Sequence, residues 1–247
     1  MTQLGVTALA VAAVLSASDA QLTVWSAGAV EPGLVKVVEH FTNETGHRVV
    51  LEFATGPELV RKLSSSDLAD VVIAPAAVIE QAAQAGRLLE GTQAAIARVG
   101  VGVAVRRGAA APDVSTVDGL KDALLRADSV VYNTASTGLY LEKLFARIGI
   151  ATRLKDKTTR YGNGVQVLEH VIGGKGNEIG FGALTEIRMY EGKGLTLVGP
   201  LPREVQNYTT YVAAVTSGAE LRAAGQDFVR FLCSSTARQA FASVGIQ

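Results

Sequence analysis

The chain has 247 residues, of which 48% are hydrophobic, and its 23 Lys and Arg residues balance 23 Asp and Glu residues. This length accommodates one large domain or two small lobes with separate cores. The balanced charge, without a long basic run, gives no sign of nucleic-acid binding. It does not exclude an anionic small ligand, because local donors rather than net charge often hold such a ligand.

The first twenty residues form a segment of their own. Leu4 to Leu15 is almost wholly apolar, and Ser18-Asp19-Ala20 places small residues where a signal peptidase cleaves. The apolar run is too short to span a bilayer, which takes roughly 20 residues. The segment lacks the Lys or Arg that usually opens a signal peptide, so a disordered N-terminus or a first helix is the alternative. We predict a signal peptide over 1–20 and a soluble periplasmic mature chain.

Three strand–loop–helix units follow. Each begins with a short β-rich run, continues with a turn that contains Gly or Pro, and ends in a helical apolar stripe; the runs are Leu22–Ser26, Val49–Phe53 and Asp70–Ala74. This alternation predicts a parallel sheet covered by helices. Ligands of such sheets bind beyond the carboxyl ends of the strands. We therefore expect the ligand edge in the loops at 26–30, 54–57 and 74–76.

The middle of the chain repeats the pattern. Val99–Arg106 is an alternating Val/Gly/Ala strand, and the Gly/Ala/Pro-rich stretch Arg107–Ser115 after it indicates a lobe boundary. Further strands are predicted at Ser129–Tyr132, Thr158–Tyr161, Glu178–Gly182, Leu195–Val198 and Thr209–Val215. Helices are predicted at Leu139–Ile148, after Gly164 and over Glu220–Ser243.

The run Thr209–Val215 is long enough to return to the first lobe. We predict an α/β fold in which lobe 1 covers 21–104 and 210–247, lobe 2 covers 105–209, and two strands cross between them. A cleft between two such lobes is a common ligand site, and hinge closure around the ligand is known for such folds.

The sequence contains no catalytic or metal-binding motif. The one cysteine, Cys233, excludes an intramolecular disulfide and a cysteine-based zinc site, and its apolar helical surroundings predict a buried residue. The histidines His40, His47 and His170 have no paired metal spacing. No HExxH motif, Ser/His/Asp signature or GxxxxGK[ST] loop occurs. We expect no cofactor, no metal and no catalytic residue.

Four segments carry a family resemblance. They are Leu22–Ala29 (LTVWSAGA), Phe41–Val50 (FTNETGHRVV), Ala69–Ile73 (ADVVI) and Ser136–Tyr140 (STGLY). Together they resemble the type 2 periplasmic binding proteins, and within them the molybdate-binding group of ABC-transporter solute-binding proteins. The resemblance implies two lobes, each a mixed, mainly parallel sheet flanked by helices, with two hinge strands. It also implies a monomer that delivers a small anionic ligand to the membrane permease of an ABC transporter.

The resemblance further implies that helix N-termini and a few hydroxyls hold the anion, without a salt bridge. Four loop-to-helix junctions match this role: Ala29-Val30 after Gly28, Gly56-Pro57-Glu58, Thr137-Gly138 and Gly164-Val165. Where the molybdate-binding group has two serines, this chain has Ala29 and Gly56 or Pro57, and Ala183 stands in place of a tyrosine. The ligand is therefore either a molybdate-like oxyanion or a small organic anion.

Each side-chain candidate has two interpretations. The hydroxyls of residues that end strands or begin helices either bind the ligand or cap a helix. Tyr132 either faces the ligand loop or packs in the core. Arg106, Arg107, Arg160 and Arg188 could grip a carboxylate, but a lone arginine is more often a solvated surface residue. The predicted ligand-binding set is Ser26, Gly28, Ala29, Thr55, Gly56, Tyr132, Ser136, Thr137, Gly164 and Val165.

Three functions fit these observations. The transport receptor, which is not an enzyme, fits the export signal, the two-lobe pattern and the helix-start loops. An enzyme on the same scaffold is the first alternative, since related folds carry catalysis. A metabolite-sensing effector domain is the second.

Overall fold

A computed structural model describes residues 20–66 and 69–247. The predicted signal peptide, 1–20, lies outside the described residues except for its last residue. Nine strands are described: β1 Gln21–Ala27, β2 Arg48–Ala54, β3 Val71–Pro75, β4 Ala94–Arg106, β5 Ser129–Asn133, β6 Thr158–Tyr161, β7 Glu178–Ala183, β8 Leu195–Pro200 and β9 Tyr208–Val215.

Ten α-helices are described between them. They are α1 Glu31–Thr45, α2 Gly56–Leu63, α3 Ala76–Gln84, α4 Val117–Arg126, α5 Ser136–Arg147, α6 Ala151–Leu154, α7 Gly164–Gly173, α8 Leu184–Glu191, α9 Arg222–Leu232 and α10 Ser235–Ala242. A short 3-10 turn, Gly28–Val30, precedes α1. None of the helices in the described ranges is long and apolar enough to cross a lipid bilayer.

The ends of α1 follow directly from the sequence. Pro32 stands in the first turn, where its missing N–H costs no helical hydrogen bond. Gly46 ends the helix in the left-handed conformation, with φ of 76°, and its N–H donates to the carbonyl of Thr42. The apolar stripe between them buries Leu34, Val37 and Phe41 against the sheet.

The strands form one continuous mixed sheet in the order β2-β1-β3-β9-β4-β7-β5-β6, with β8 also paired to β4. The pairs β1–β2, β1–β3, β5–β6 and β5–β7 are parallel. The predicted α/β fold with a mainly parallel sheet on each side is confirmed.

β4 joins the two sides of this sheet. Its residues Ala94–Gly100 pair with β9, whereas Val101–Arg106 pair with β7 and β8. We call the part built on β1–β3 and β9 the first half, and the part built on β5–β8 the second half. The predicted lobe limits, 21–104 with 210–247 and 105–209, remain a prediction.

Each half has its own hydrophobic core. The first half packs Phe41 edge-on against Phe228, with ring centroids 5.0 Å apart. The second half packs Phe145 against Phe181 at 5.9 Å. The stretch Arg107–Ser115 connects β4 to α4, and its Val114 belongs to the core of the second half.

Cys233 departs from expectation. It is exposed, so the prediction of a buried residue is wrong. α9 ends at Leu232, and its inward stripe consists of Phe228, Val229 and Leu232. Cys233 follows that stripe at the helix end and turns away from the core.

Candidate functional site

Six loops that follow parallel strands meet around one cavity of about 660 Å³ between the halves. The loops after β1, β2 and β3 form one wall, and the loops after β5, β6 and β7 form the other. Tyr211 of β9 lines the cavity where the halves join. Parallel strands in each half bring their carboxyl ends to one edge, which is where α/β sheets bind ligands.

Eight of the predicted ligand-binding residues line this cavity. They are Gly28, Ala29, Thr55, Gly56, Ser136, Thr137, Gly164 and Val165. Ser26 and Tyr132 are not among its lining residues. The fold thus brings four loops far apart in the sequence to one place, although the roles of their residues in binding stay predictions.

Ser26 and Tyr132 point into the protein interior. Ser26 is fully buried, and its hydroxyl donates to the carbonyl of Ala27 at 3.2 Å. Tyr132 packs edge-on against Phe145 with ring centroids 5.9 Å apart. Burial raises the pKa of the Tyr132 hydroxyl above its ordinary value, with a smaller contribution from the nearby carboxylate of Glu142. The geometry favours core packing for both residues.

Thr55 caps the helix that follows it. Its hydroxyl donates to Glu58 Oε2 at 2.8 Å and accepts the backbone N–H of Glu58 at 3.4 Å. The Glu58 carboxylate in turn accepts the backbone N–H of Thr55 at 2.8 Å, which completes a capping box. These hydrogen bonds hold the pKa of Glu58 below its ordinary value. The start of α2 therefore already carries a carboxylate.

The start of α5 is arranged differently. Asn133 Oδ1 accepts the backbone N–H of Ala135 at 3.0 Å and that of Gly138 at 3.3 Å. Capping was one of the two interpretations of Ser136 and Thr137, and Asn133 accepts these N–H groups instead. Within the described part of the chain, no hydrogen bond engages the hydroxyl of Ser136 or Thr137, and both residues line the cavity.

The helix starts at the cavity differ in charge. α1, α2 and α8 each carry a glutamate in the first turn, namely Glu31, Glu58 and Glu186. α3, α5 and α7 carry no acidic residue there. A helix start offers unpaired N–H groups and a partial positive charge to an anion. The starts of α3, α5 and α7 are therefore the ones that can accept an external anion.

Glu186 is the residue that sequence analysis missed. It stands in the first turn of α8, is half-buried and lines the cavity. The pKa of its carboxyl is raised to about 7, mainly because burial removes water from around the carboxylate. A hydrogen bond from the N–H of Ala183 lowers the pKa in part, and the nearby carboxylate of Glu31 raises it further. Glu186 also raises the pKa of buried Tyr211, for which burial is the larger cause. A carboxyl that titrates near neutrality in a cleft is a candidate functional group.

This position makes stability depend on pH. The folded state holds a proton on Glu186 up to about pH 7, whereas the unfolded chain loses it near the ordinary pKa of 4.5. The stability from this proton is complete below pH 4.5 and is lost as the pH rises through 7. We expect Glu186→Gln to increase the free energy of unfolding by about 3 kcal/mol at about pH 8, and to leave it nearly unchanged near pH 4.5.

Urea unfolding at the two pH values measures this difference. Glu191→Gln is the matched control, because Glu191 lies exposed at the end of the same helix. Equal stabilisation by Glu186→Gln at both pH values would contradict the raised pKa.

The arginines considered from sequence lie away from this cavity. Arg160 pairs with Glu142 at 2.7 Å, and Arg188 donates to the carbonyl of Val244 at 3.3 Å. Arg107 donates to the carbonyl of Glu191, and Arg106 lines a separate, smaller pocket. In residues 20–66 and 69–247, no group of three or more His, Cys, Asp or Glu side chains is placed to hold a metal ion.

The two halves touch beside Glu186. Thr185 is buried, and its hydroxyl donates to the carbonyl of Ala29 at 2.6 Å. The available signal was weak: Leu184-Thr185-Glu186 comes one residue after the predicted strand Glu178–Gly182. No capping side chain marks the start of α8, and the helix was therefore not predicted.

Comparison with known proteins gives a match over almost the whole chain. The model of a family described as "Bacterial extracellular solute-binding protein" matches residues 22–247. A curated protein named aconitate isomerase, from Pseudomonas sp, is 26% identical, and the alignment covers 92% of this chain and 87% of that protein.

Solved structures share the fold. The periplasmic molybdate-binding protein of Azotobacter vinelandii superposes with a TM-score of 0.76 and 17% identity, over 92% of this chain and 99% of the other. The sulfate-binding protein SubI from Mycobacterium tuberculosis H37Rv superposes with a TM-score of 0.72 and 18% identity, over 92% of this chain and 86% of the other. The predicted type 2 periplasmic binding fold is confirmed.

Proposed function

Because the chain belongs to the family of bacterial extracellular solute-binding proteins, we propose that it captures a small organic anion in the cavity between its halves. The halves act as lobes that close on the ligand, with β4 and β9 as the hinge strands. The loaded protein, exported to the periplasm as a monomer, then delivers the anion to the permease of an ABC transporter.

One observation carries this proposal. The cavity lies beyond the carboxyl ends of strands from both halves, and the starts of α3, α5 and α7 face it without an acidic residue of their own. The N–H groups of such helix starts are suited to an anionic group. The hydroxyls of Ser136 and Thr137 also line the cavity, and neither caps α5, since Asn133 does so.

The size and chemistry of the cavity favour an organic anion over a tetrahedral oxyanion. A volume of about 660 Å³ exceeds what one oxyanion fills and is typical of small-molecule sites. Exposed apolar side chains stand on its rim, namely Leu139, Val165 and Met189. Ala29 and Gly56 offer no hydroxyl to an oxyanion. A ligand with a hydrocarbon body and a terminal carboxylate matches these walls.

A thermal-shift screen tests the proposal. The panel is molybdate, tungstate, sulfate, phosphate and small carboxylates, including cis- and trans-aconitate. A ligand that binds only the folded state, at about 100 times its Kd, stabilises by about 2.7 kcal/mol, or roughly 5–10 °C for a chain of this size. We expect this shift with a carboxylate. No shift with any member of the panel would overturn the proposal, and a shift with molybdate or tungstate alone would replace the organic anion by an oxyanion.

A negative charge introduced into the cavity wall tests whether the anion binds there. Val165 is exposed in the first turn of α7, so Val165→Glu should fold normally and repel the anion. We expect the Kd of the bound carboxylate to rise roughly tenfold or more. Val35→Glu is the matched variant, since Val35 is equally exposed but lies outside the cavity. Equal loss of binding in both variants would argue against this site.

A specific observation favours one enzyme as a second candidate. Glu186 lies in the cavity with a pKa raised to about 7, which suits a group that takes up and returns a proton. The relative named aconitate isomerase spans 92% of the chain. In this candidate, Glu186 removes a proton from the methylene carbon of aconitate and a proton returns to the former alkene carbon, so that the double bond shifts.

Proton NMR of cis-aconitate mixed with the protein distinguishes the two candidates. Appearance of trans-aconitate, lost by about 100-fold or more in Glu186→Gln, would favour the isomerase. Binding without conversion would leave the transport receptor.

A further inference from the structure

Glu186 lines the cavity beside the place where the two halves meet. An ideal Cβ on Gly164, at the start of α7, would lie 2.7 Å from its Oε2. An ideal Cβ on Gly28, in the turn after β1, would lie 3.4 Å from its Oε1. One carboxyl group therefore lies against a glycine of the first half and a glycine of the second half. An alanine Cβ at Gly164 would require the carboxyl to shift, whereas one at Gly28 would meet it at ordinary contact distance.

The residues around this carboxyl provide no positive partner. None of the described cations forms an ion pair with Glu186. Lys193 borders the same cavity, but its ammonium lies 4.2 Å above the ring of Tyr190. Arg188, on the same helix, points instead to the carbonyl of Val244.

The elements packed on α8 add negative or neutral groups. Glu31 faces Glu186 from the start of α1, and Tyr211 faces it from β9. Glu169 of α7 and Glu186 both act on Tyr190. β8 has no titratable residue, and the β4 arginines are engaged elsewhere: Arg98 stacks over Tyr208, and Arg106 lines the smaller pocket.

We propose that Glu186 binds a ligand carboxylate as a neutral acid, donating the hydrogen bond, so that the protein takes up one proton from solvent when the anion binds. This inference rests on the proposed function. An ionised Glu186 would repel the ligand carboxylate in a cavity that already contains Glu31. A protonated Glu186 instead donates its O–H to the ligand carboxylate, which accepts the hydrogen bond. Glu186 would thereby make capture stronger in acidic surroundings.

Isothermal titration calorimetry in buffers of different ionisation enthalpy measures the protons taken up. The probes are fumarate, malate and trans-aconitate, whose carboxyls are ionised above about pH 6 because simple carboxyls titrate near pH 4. We expect uptake of nearly one proton at about pH 8 and almost none at about pH 5, where Glu186 already holds its proton. The Kd should rise by close to tenfold for each pH unit above about 7.

Two variants show whether Glu186 or the neighbouring Glu31 takes up the proton. Glu186→Gln keeps a hydrogen-bond donor but cannot titrate, so it should bind the probe with a pH-independent Kd and without proton uptake. Glu31→Gln removes the other cavity carboxylate that acts on Glu186, and it should retain the uptake.

Each contrary outcome has a distinct meaning. Binding by wild type with a pH-independent Kd and no uptake would overturn this inference and leave the proposed function intact. Proton release, with tighter binding of an ammonium-bearing probe such as ethanolamine, would make Glu186 a site for a cation and would also overturn it. If no probe binds at any pH, the proposed function fails and the inference fails with it.

Discussion

Gly138→Ala should destabilise the protein by about 3–5 kcal/mol. Gly138 lies in the first turn of α5, where an ideal Cβ would be 1.6 Å from the carbonyl oxygen of Asn133 and 3.0 Å from the ring of Tyr132. The oxygen belongs to the backbone of β5, where Asn133 pairs with Tyr161, so it cannot move aside without breaking the sheet. A loss of this size is a large part of the 5–15 kcal/mol that typically stabilises a domain.

Gly173→Ala is the matched control. Gly173 is exposed at the end of α7, and nothing lies within 4 Å of an ideal Cβ there. Its substitution should change the free energy of unfolding by less than about 1 kcal/mol, towards higher stability. Urea unfolding followed by circular dichroism compares the two variants, and equal midpoints would contradict the close contact between α5 and β5.

Asp70→Ala should cost about 3–5 kcal/mol in the first half of the protein. Asp70 is buried and accepts four hydrogen bonds. Its Oδ2 accepts the backbone N–H of Thr23 at 2.9 Å and the Thr23 hydroxyl at 3.0 Å. Its Oδ1 accepts the N–H groups of Glu220 and Leu221 at 2.9 and 2.8 Å. Asp70 thus connects β1 to the start of α9 through hydrogen bonds. Alanine would leave the three backbone N–H groups without this acceptor.

Asp70→Asn should lose roughly half as much stability, because one oxygen remains as an acceptor while the new amide nitrogen faces other donors.

Asp227→Asn is the surface control. Asp227 pairs with Arg230 at 2.9 Å, but both side chains are more than half exposed, so its loss should cost less than about 0.5 kcal/mol. Urea midpoints of the three variants in one buffer give the comparison. A midpoint for Asp70→Ala equal to that of Asp227→Asn would show that the four hydrogen bonds do not stabilise the fold.

The strands and most helices could be predicted because their signals are local. Gly46 ends α1 in the left-handed conformation that favours glycine, and Pro57 stands in the first turn of α2. α4, α6 and α8 were missed, and the one helix predicted over Glu220–Ser243 is two helices, α9 and α10. α8 follows β7 without a capping side chain, and its sequence, LTEIRMYE, resembles a solvated surface segment.

The candidate site was predictable at the level of loops but less so for side chains. The loops after six strands do line one cavity, as the rule for parallel sheets requires. In β1 the residues alternate between exposed and buried, so the position of Ser26 two residues after Val24 already places it inward. β5 is buried from Val130 to Asn133, and there alternation does not tell which way Tyr132 points. Asn133, rather than Ser136 or Thr137, caps α5, because its side chain reaches forward to the N–H groups of Ala135 and Gly138.

The alternation of strands and helices and the Gly-containing loops at the strand ends are encoded locally, since these depend on neighbours within a few residues. The environment of Glu186 is set by the packed fold. That environment is made by Gly28, Gly164 and Glu31, which lie in distant segments and come together only when the halves pack. The free energy of a carboxylate depends on the water and charges around it, and no local pattern in the chain encodes them.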